Sequence, residues 1–272
     1  MSFPVPPCRR HLIEVHDQPW CPGVLRDALT EWLRVLWEYS QAATVIAPLL
    51  ARTLSSSDTF RIVDLCSGAG GPIVPVQRQL ALLGLSVPAV ITDKYPAPAL
   101  ADQLSESSGN LTVMPQPVDA RELPESLTGC RTLFNAFHHF TPPEAKRILE
   151  DAYRKGQPIA IFEITERTLL KVLLCFPASF LSVFLLLKRM RPRLWIWWLL
   201  TWILPVIPLL VAWDGLVSHL RTYSPAEIRR LIDGLSSGSY RWETGRVAAP
   251  RGGVEITYLI GHPVRRAAAA FR

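Results

Sequence analysis

Charge is scarce in this chain. Only 19% of its 272 residues are Asp, Glu, Lys or Arg, while 49% are hydrophobic, and the mean hydropathy is +0.19. That apolar content excludes disorder over most of the length. The size is well above the range in which a core needs disulfides or metals as staples. Cysteine is sparse too. Cys8, Cys21, Cys66, Cys130 and Cys175 are odd in number, form no CxxC, and follow no secretory signal. Free thiols in a reducing compartment are the expectation. Cys8, His11, His16 and Cys21 lie near one another, but their spacing fits no zinc finger or ribbon, so no metal is expected. The dinucleotide pattern GxGxxG and the phosphate-loop Gly-Lys-Ser/Thr are both missing. The net charge of +6 and pI near 9.3 permit anionic partners, but basic residues are not interleaved with aromatics, and no nucleic acid is expected.

What is present is alternation. After a Pro-rich start, Leu25, Leu29, Trp32, Leu33 and Leu36 form one helical stripe, and a second helical piece runs near Gln41 to Leu54. Short apolar strands are then expected over 61–65, 87–92, 111–118, 131–134 and 158–162. Helices lie between them, and Thr141-Pro142-Pro143-Glu144 is a capping box with Pro at the first helical position. Ser224-Pro225-Ala226-Glu227 repeats that chemistry, and 240–247 with 254–260 reads as a closing β-hairpin. The pattern predicts an α/β fold with a Rossmann-like, mostly parallel sheet, a C-terminal antiparallel hairpin and helices on both faces. In such sheets the ligand sits beyond the carboxyl ends of the strands, which here carry Asp64, Asp93, Asp119, Asn135 and Glu163.

The strongest element is the stretch Asp64-Leu65-Cys66-Ser67-Gly68-Ala69-Gly70-Gly71. Small residues at a strand-to-helix turn let the backbone approach a ligand closely. With Asp93 ending the next strand, the turn suits an amino-acid tail and a ribose without pyrophosphate. On these residues the chain resembles the class I S-adenosylmethionine-dependent methyltransferases, over about residues 60–165 and 214–262. The resemblance implies that S-adenosylmethionine is bound by Asp64, Cys66, Ser67, Gly68, Ala69 and Gly70, by Asp93 and Lys94, by Asp119 and Ala120, and by Asn135. Two departures stand out: Cys66 replaces the usual Gly, and Asp93 follows Asp64 at a longer interval than usual. The run Phe134-Asn135-Ala136-Phe137-His138-His139-Phe140 is similar to the fourth motif of small-molecule members. His138 and His139 are candidate bases, since imidazole titrates near neutral pH. Phe137, Glu163, Arg167, Arg221 and Tyr223 are candidate acceptor contacts. The segment Glu14 to Trp20 is a candidate lid, or else Trp20 staples it to the first helix.

The excess apolarity is local. Residues 172–187 and 194–213 carry no charge, and five of the nine tryptophans fall in the second run. The turn between them holds Lys188, Arg189, Arg191 and Arg193. The second run has the length that crosses a membrane, and the first is marginal. A hairpin dipping into one leaflet is the favoured reading, with these cations at anionic headgroups and Trp195, Trp197 and Trp198 at interfacial depth. A spanning hairpin, a soluble lid and a homodimer face are the alternatives. The expected organisation is a helical cap (1–57), a methyltransferase domain (58–167 and 214–264), a membrane-associated insertion (168–213) and a tail (265–272). The expected activity is methyl transfer to a lipophilic small molecule, such as a quinone, lipid or polyketide, at the cytoplasmic face of a membrane. A methyltransferase acting on RNA or protein, and a non-catalytic membrane-tethered binding module, are the competing functions.

Overall fold

In the computed structural model, residues 8–56, 59–68, 70–96 and 110–264 are described. Seven strands form one sheet: β1 (Ile62–Asp64), β2 (Ala89–Ile91), β3 (Leu111–Val113), β4 (Cys130–Phe134), β5 (Ile159–Glu163), β6 (Tyr240–Ala248) and β7 (Glu255–Pro263). Their order is β3-β2-β1-β4-β5-β7-β6, with β1 to β5 parallel and β7 antiparallel to both neighbours. Every residue of β1, β4 and β5 is buried, as strands covered on both faces require. Arg131, the second residue of β4, is the cation among them. It is fully buried and held by Asp151 at 2.8 Å and by Gln157 at 3.0 Å. The long hairpin of β6 and β7 closes tightly because Gly245 lies under the Tyr258 ring and Gly261 under the Trp242 ring.

The chain falls into two compact units. The sheet unit comprises residues 41–164 and 225–272. Besides the strands it contains α2 (Ala43–Leu54), α3 (Ile73–Leu82), α4 (Pro142–Arg154) and α8 (Pro225–Leu231). The expected capping box at Thr141 and Glu144 opens α4. The expected third strand is shorter than its apolar run, ending at Val113. Asp119 is nonetheless brought beside the end of β2, because Val118 N–H donates to the Asp93 carbonyl at 2.9 Å.

The helical unit comprises residues 1–40 and 165–224. It contains α1 (Gly23–Ser40), α5 (Leu169–Leu186), α6 (Trp195–Trp202) and α7 (Val206–Arg221), with a 3₁₀ turn at Leu187–Arg189. These bounds differ from the expected ones. The first helix groups with the apolar insertion, the second with the sheet, and residues 214–221 complete α7 instead of re-entering the sheet domain. The reason is packing: Leu29, Trp32 and Val35 of α1 share one core with Val183 and Leu186 of α5 and with Ile207, Leu210 and Val211 of α7. Helices α5 and α7 run antiparallel. Val183 and Leu186 meet the start of α7, whereas Cys175 and Ser179 face Gly215 further along it.

Two sequence expectations fail in this unit. Trp197 is not at interfacial depth: it is buried in the core, and its indole N–H donates to the Val24 carbonyl at 3.0 Å. Trp20 is two-thirds exposed, so most of its ring lies outside any packing against α1. The segment before α1 is fixed instead by α7. The Asp214 carboxylate accepts from the backbone N–H of Val15 (2.7 Å) and His16 (3.0 Å) and lies 2.9 Å from the His16 ring nitrogen Nδ1.

Candidate active site

The parallel strands diverge in order at β1 and β4, so the carboxyl ends of these two strands form the switch point of the sheet, where a crevice opens. Three groups of predicted residues meet along that edge of the sheet unit: the turn after β1, the acids after β2 and β3, and the segment from Asn135 to His139 with Glu163.

The turn after β1 is anchored by Asp64. Its side chain is 2% exposed and accepts from Thr132 Oγ1 (2.6 Å) and Ser67 Oγ (2.5 Å). Thr132 is opposite Asp64 in the β1–β4 register, which is how β4 supplies a donor that sequence reading did not single out. Burial pushes the Asp64 carboxyl up to about 7, against the two hydroxyl donors and with a smaller contribution from Asp93. Cys66 occupies the left-handed region with φ 56°, and Gly68 and Gly70 follow at φ 50° and 83°. The position where the resemblance expects Gly therefore keeps the backbone that favours Gly. The substitution alters the side chain and leaves the turn intact. Burial, with the nearby acids Asp93, Asp64 and Asp119, raises the Cys66 thiol and keeps it protonated. Ala69 lies outside the described residues.

Asp93 closes the turn from the side. One carboxylate oxygen accepts from Gly68 N–H and the other from Tyr95 N–H, both at 2.8 Å. Lys94 is exposed, its ammonium 5.9 Å from the Tyr95 ring centroid. Asp119 is bound by Arg121 through the backbone N–H (2.9 Å) and the guanidinium Nε (2.8 Å), and Arg121 reaches on to Glu144 at 2.8 Å. Hydrogen bonds from Arg121 lower the Asp119 carboxyl to about 2. Ala120 beside it is buried. Arg121 and Glu144 were missed as part of this edge, although the sequence placed Arg121 two residues after the acid and Glu144 in the capping box.

Asn135 follows β4 in the left-handed region, at φ 51°, and its N–H donates to the Phe162 carbonyl at 2.7 Å. That sharp exit starts the one-turn 3₁₀ helix Phe137–His139. Glu163, the last residue of β5, uses both oxygens on this helix. Oε1 accepts from Phe137 N–H at 2.8 Å, and Oε2 lies 2.6 Å from His138 Nδ1. His138 and Glu163 are both buried, and the His139 ring is 4.4 Å from that of His138. Glu163 is thus a partner of His138, a different task from the acceptor contact expected for it. A carboxylate on Nδ1 fixes that nitrogen as the protonated one and leaves Nε2 as the basic atom.

Arg167, Arg221 and Tyr223 belong to the helical unit. Arg221 is buried there, with its Nη1 3.1 Å from Glu14 and its Nε donating to the Leu12 carbonyl at 2.8 Å. Tyr223 stacks under the Arg9 guanidinium, whose centre lies 4.2 Å above the ring. Glu14 and Asp17, expected as lid acids, share this structural network. Glu14 also accepts from Ser218 at 3.0 Å, and Asp17 lies 3.3 Å from His16 and 3.6 Å from Arg221.

A Cβ at Gly68 would meet no atom within 4 Å, so the turn leaves room there for an adenosylmethionine-type ligand. Asp93, beside the turn, is an acceptor suited to ribose hydroxyls.

No family model and no curated protein matches the chain. Among solved structures it is similar to the mitomycin 7-O-methyltransferase (15% identity, TM-score 0.46, covering 80% of this chain and 53% of the other). It is similar to the CMeT domain of the citrinin polyketide synthase (12%, 0.48, 82% and 52%). It is also similar to magnesium protoporphyrin IX methyltransferase from Synechocystis PCC 6803 with bound SAH (12%, 0.45, 90% and 90%). The chain spans about half the length of the first two. The sheet itself, five parallel strands in the order 3-2-1-4-5 followed by 7-6 with β7 antiparallel, is the Rossmann-like α/β fold with a C-terminal antiparallel hairpin that the sequence predicts.

Proposed function

We propose that this chain transfers a methyl group from S-adenosylmethionine to a nucleophilic atom of a lipophilic small molecule, with His138 as the base. The observation that carries the reading is the His138–Glu163 pair beside the turn of Asp64 to Gly70, at the switch point of the sheet. S-adenosylmethionine, when bound, supplies a methyl group already activated on a sulfonium. What remains for the protein is alignment and proton removal. The turn after β1 would offer its backbone to the amino-acid tail, Asp93 would accept from the ribose, and Ala120 and Asn135 would border the adenine. His138 takes the acceptor proton on Nε2. Glu163 holds the ring by Nδ1 and stabilises the imidazolium that forms. Its second bond, to Phe137 N–H, locks the helix turn on which the imidazole rides.

The lipophilic acceptor is supported by chain order. The apolar helix α5 begins six residues after Glu163, and in this fold the segment after the fifth strand borders the acceptor. Arg167, Arg221 and Tyr223 remain acceptor contacts only in this proposal. The test is incubation of the full chain with methyl-labelled S-adenosylmethionine and a total lipid extract, followed by mass spectrometry. A labelled lipid-soluble product that disappears in His138→Ala supports the reading. Absence of S-adenosylmethionine binding by calorimetry overturns it. Label appearing instead in nuclease- or protease-sensitive material overturns the acceptor class.

A further inference from the structure

Helix α5 is apolar on both sides. Its inner side, with Cys175, Val183 and Leu186, is buried in the helical unit. Its outer side carries Leu170, Leu173, Leu174, Leu181 and Leu185, all more than half exposed. The helix and its 3₁₀ extension run 21 residues, and the most apolar 18-residue stretch has mean hydropathy 2.3, yet only 17% of that stretch is buried. A core helix of a soluble protein at that hydropathy is mostly covered. Helix α6 repeats the arrangement. Trp197 and Thr201 face inward, while Trp195 (74% exposed), Trp198 and Trp202 share the outer side and lead to the exposed Ile203 and Leu204. Exposed apolar surface of this extent marks an interaction site.

Charge selects the partner. The turn between α5 and α6 exposes Lys188, Arg189, Arg191 and Arg193, with no acidic residue between Leu169 and Trp213. Four cations beside exposed indoles match an anionic lipid surface, where basic side chains meet headgroups and Trp lies at the interface. The geometry also fixes the pose. The basic turn lies in the connection from α5 to α7, at the Leu186 end of α5, so insertion by that end would carry four charges toward the hydrocarbon centre, at high cost. A full crossing needs a return span, but α7 contains Asp214, His219 and Arg221 and is bent 75° from α6. Lying flat satisfies both constraints.

We infer that the helical unit docks in the plane of one leaflet of an anionic membrane. The outer sides of α5 and α6 enter the upper acyl region and Lys188–Arg193 lie among the headgroups. The inference needs no assumption about the reaction.

The test uses the full chain with vesicles of phosphatidylcholine, with or without phosphatidylglycerol. Flotation with anionic vesicles is expected, weakening steeply with salt. At about fivefold per basic residue, Lys188→Ala with Arg193→Ala weakens that binding about 25-fold and barely changes the weak binding to pure phosphatidylcholine. Tryptophan fluorescence of the unaltered protein is expected to be quenched more by bromines high on the acyl chain than by bromines near its end. This readout requires no variant. Failure to float overturns the inference. So do quenching strongest at the chain end, retention after alkaline carbonate extraction as for a spanning protein, or a stable dimer in vesicle-free buffer that hides Trp195 from aqueous quenchers.

Discussion

Asp64 gives the sharpest quantitative prediction. A carboxyl normally titrating at 3.8 is pushed to about 7 by complete burial, so the folded chain holds a proton there that the unfolded chain gives up. The folded value is the higher one. The stability this group contributes is therefore fully present below pH 3.8 and is lost as pH rises toward 7. At about 1.4 kcal/mol per pH unit, the interval corresponds to about 4 kcal/mol, more than half of it lost above pH 5. Asp64→Asn keeps the shape and stays neutral at every pH, so it does not share this loss. Urea unfolding of both forms between pH 4 and pH 8 isolates the effect, because every other titrating group cancels in the difference. The variant is expected to gain about 4 kcal/mol on the parent across that range and to overtake it at the alkaline end if Ser67 and Thr132 still find acceptors. A difference that stays flat with pH, or shrinks as pH rises, refutes the claim that burial outweighs the two hydroxyl donors.

Glu163→Gln should lower turnover about 10²- to 10⁴-fold, the range of general-base contributions, with S-adenosylmethionine affinity from calorimetry unchanged and the pH–rate profile displaced. A merely structural role for Glu163 would leave that profile in place. Asp214→Asn weakens a carboxylate that binds two backbone N–H groups and the His16 ring, and is expected to cost about 1–3 kcal/mol and speed proteolytic cleavage before α1. Burial opposes protonation of His16, but Asp214, Asp17 and Glu14 raise its pKa above 6.5. Its contribution is thus complete below pH 6.5 and fades above the folded value, so the wild-type segment should become protease-sensitive as the solution is made alkaline. Gly261→Ala places a methyl group against the Trp242 ring and should destabilise by about 1–3 kcal/mol in thermal unfolding, whereas Gly84→Ala, with open space but a left-handed φ of 80°, should cost about 1 kcal/mol through the backbone alone.

How far the sequence reaches depends on whether a property is local. Strands, the capping box, the closing hairpin and the turn after β1 are set by neighbours within a few residues, and each was readable. Even the departure at Cys66 was visible, and its resolution is local: the residue takes the φ its replacement for Gly demands. Pairings across the chain were not readable. Glu163 looked like an acceptor contact because polar residues at strand ends often are, and only the β4–β5 register, Phe134 against Phe162, shows that its carboxylate meets the helix turn starting two residues beyond Asn135. Trp197 reads like its neighbours in an apolar run, yet α1 claims it for the core and leaves Trp195 and Trp198 outside. Likewise Asp214 and Arg221 seemed to mark a return to the catalytic domain, when their charges anchor the segment ahead of α1. In each case a polar or aromatic group has several partners of equal local merit, and tertiary packing picks one. A chain with so little charge resolves that choice economically: its buried ionic groups are nearly all spent on tying distant segments together, and the apolar surface left over, concentrated on α5 and α6, is what packing within the chain did not consume.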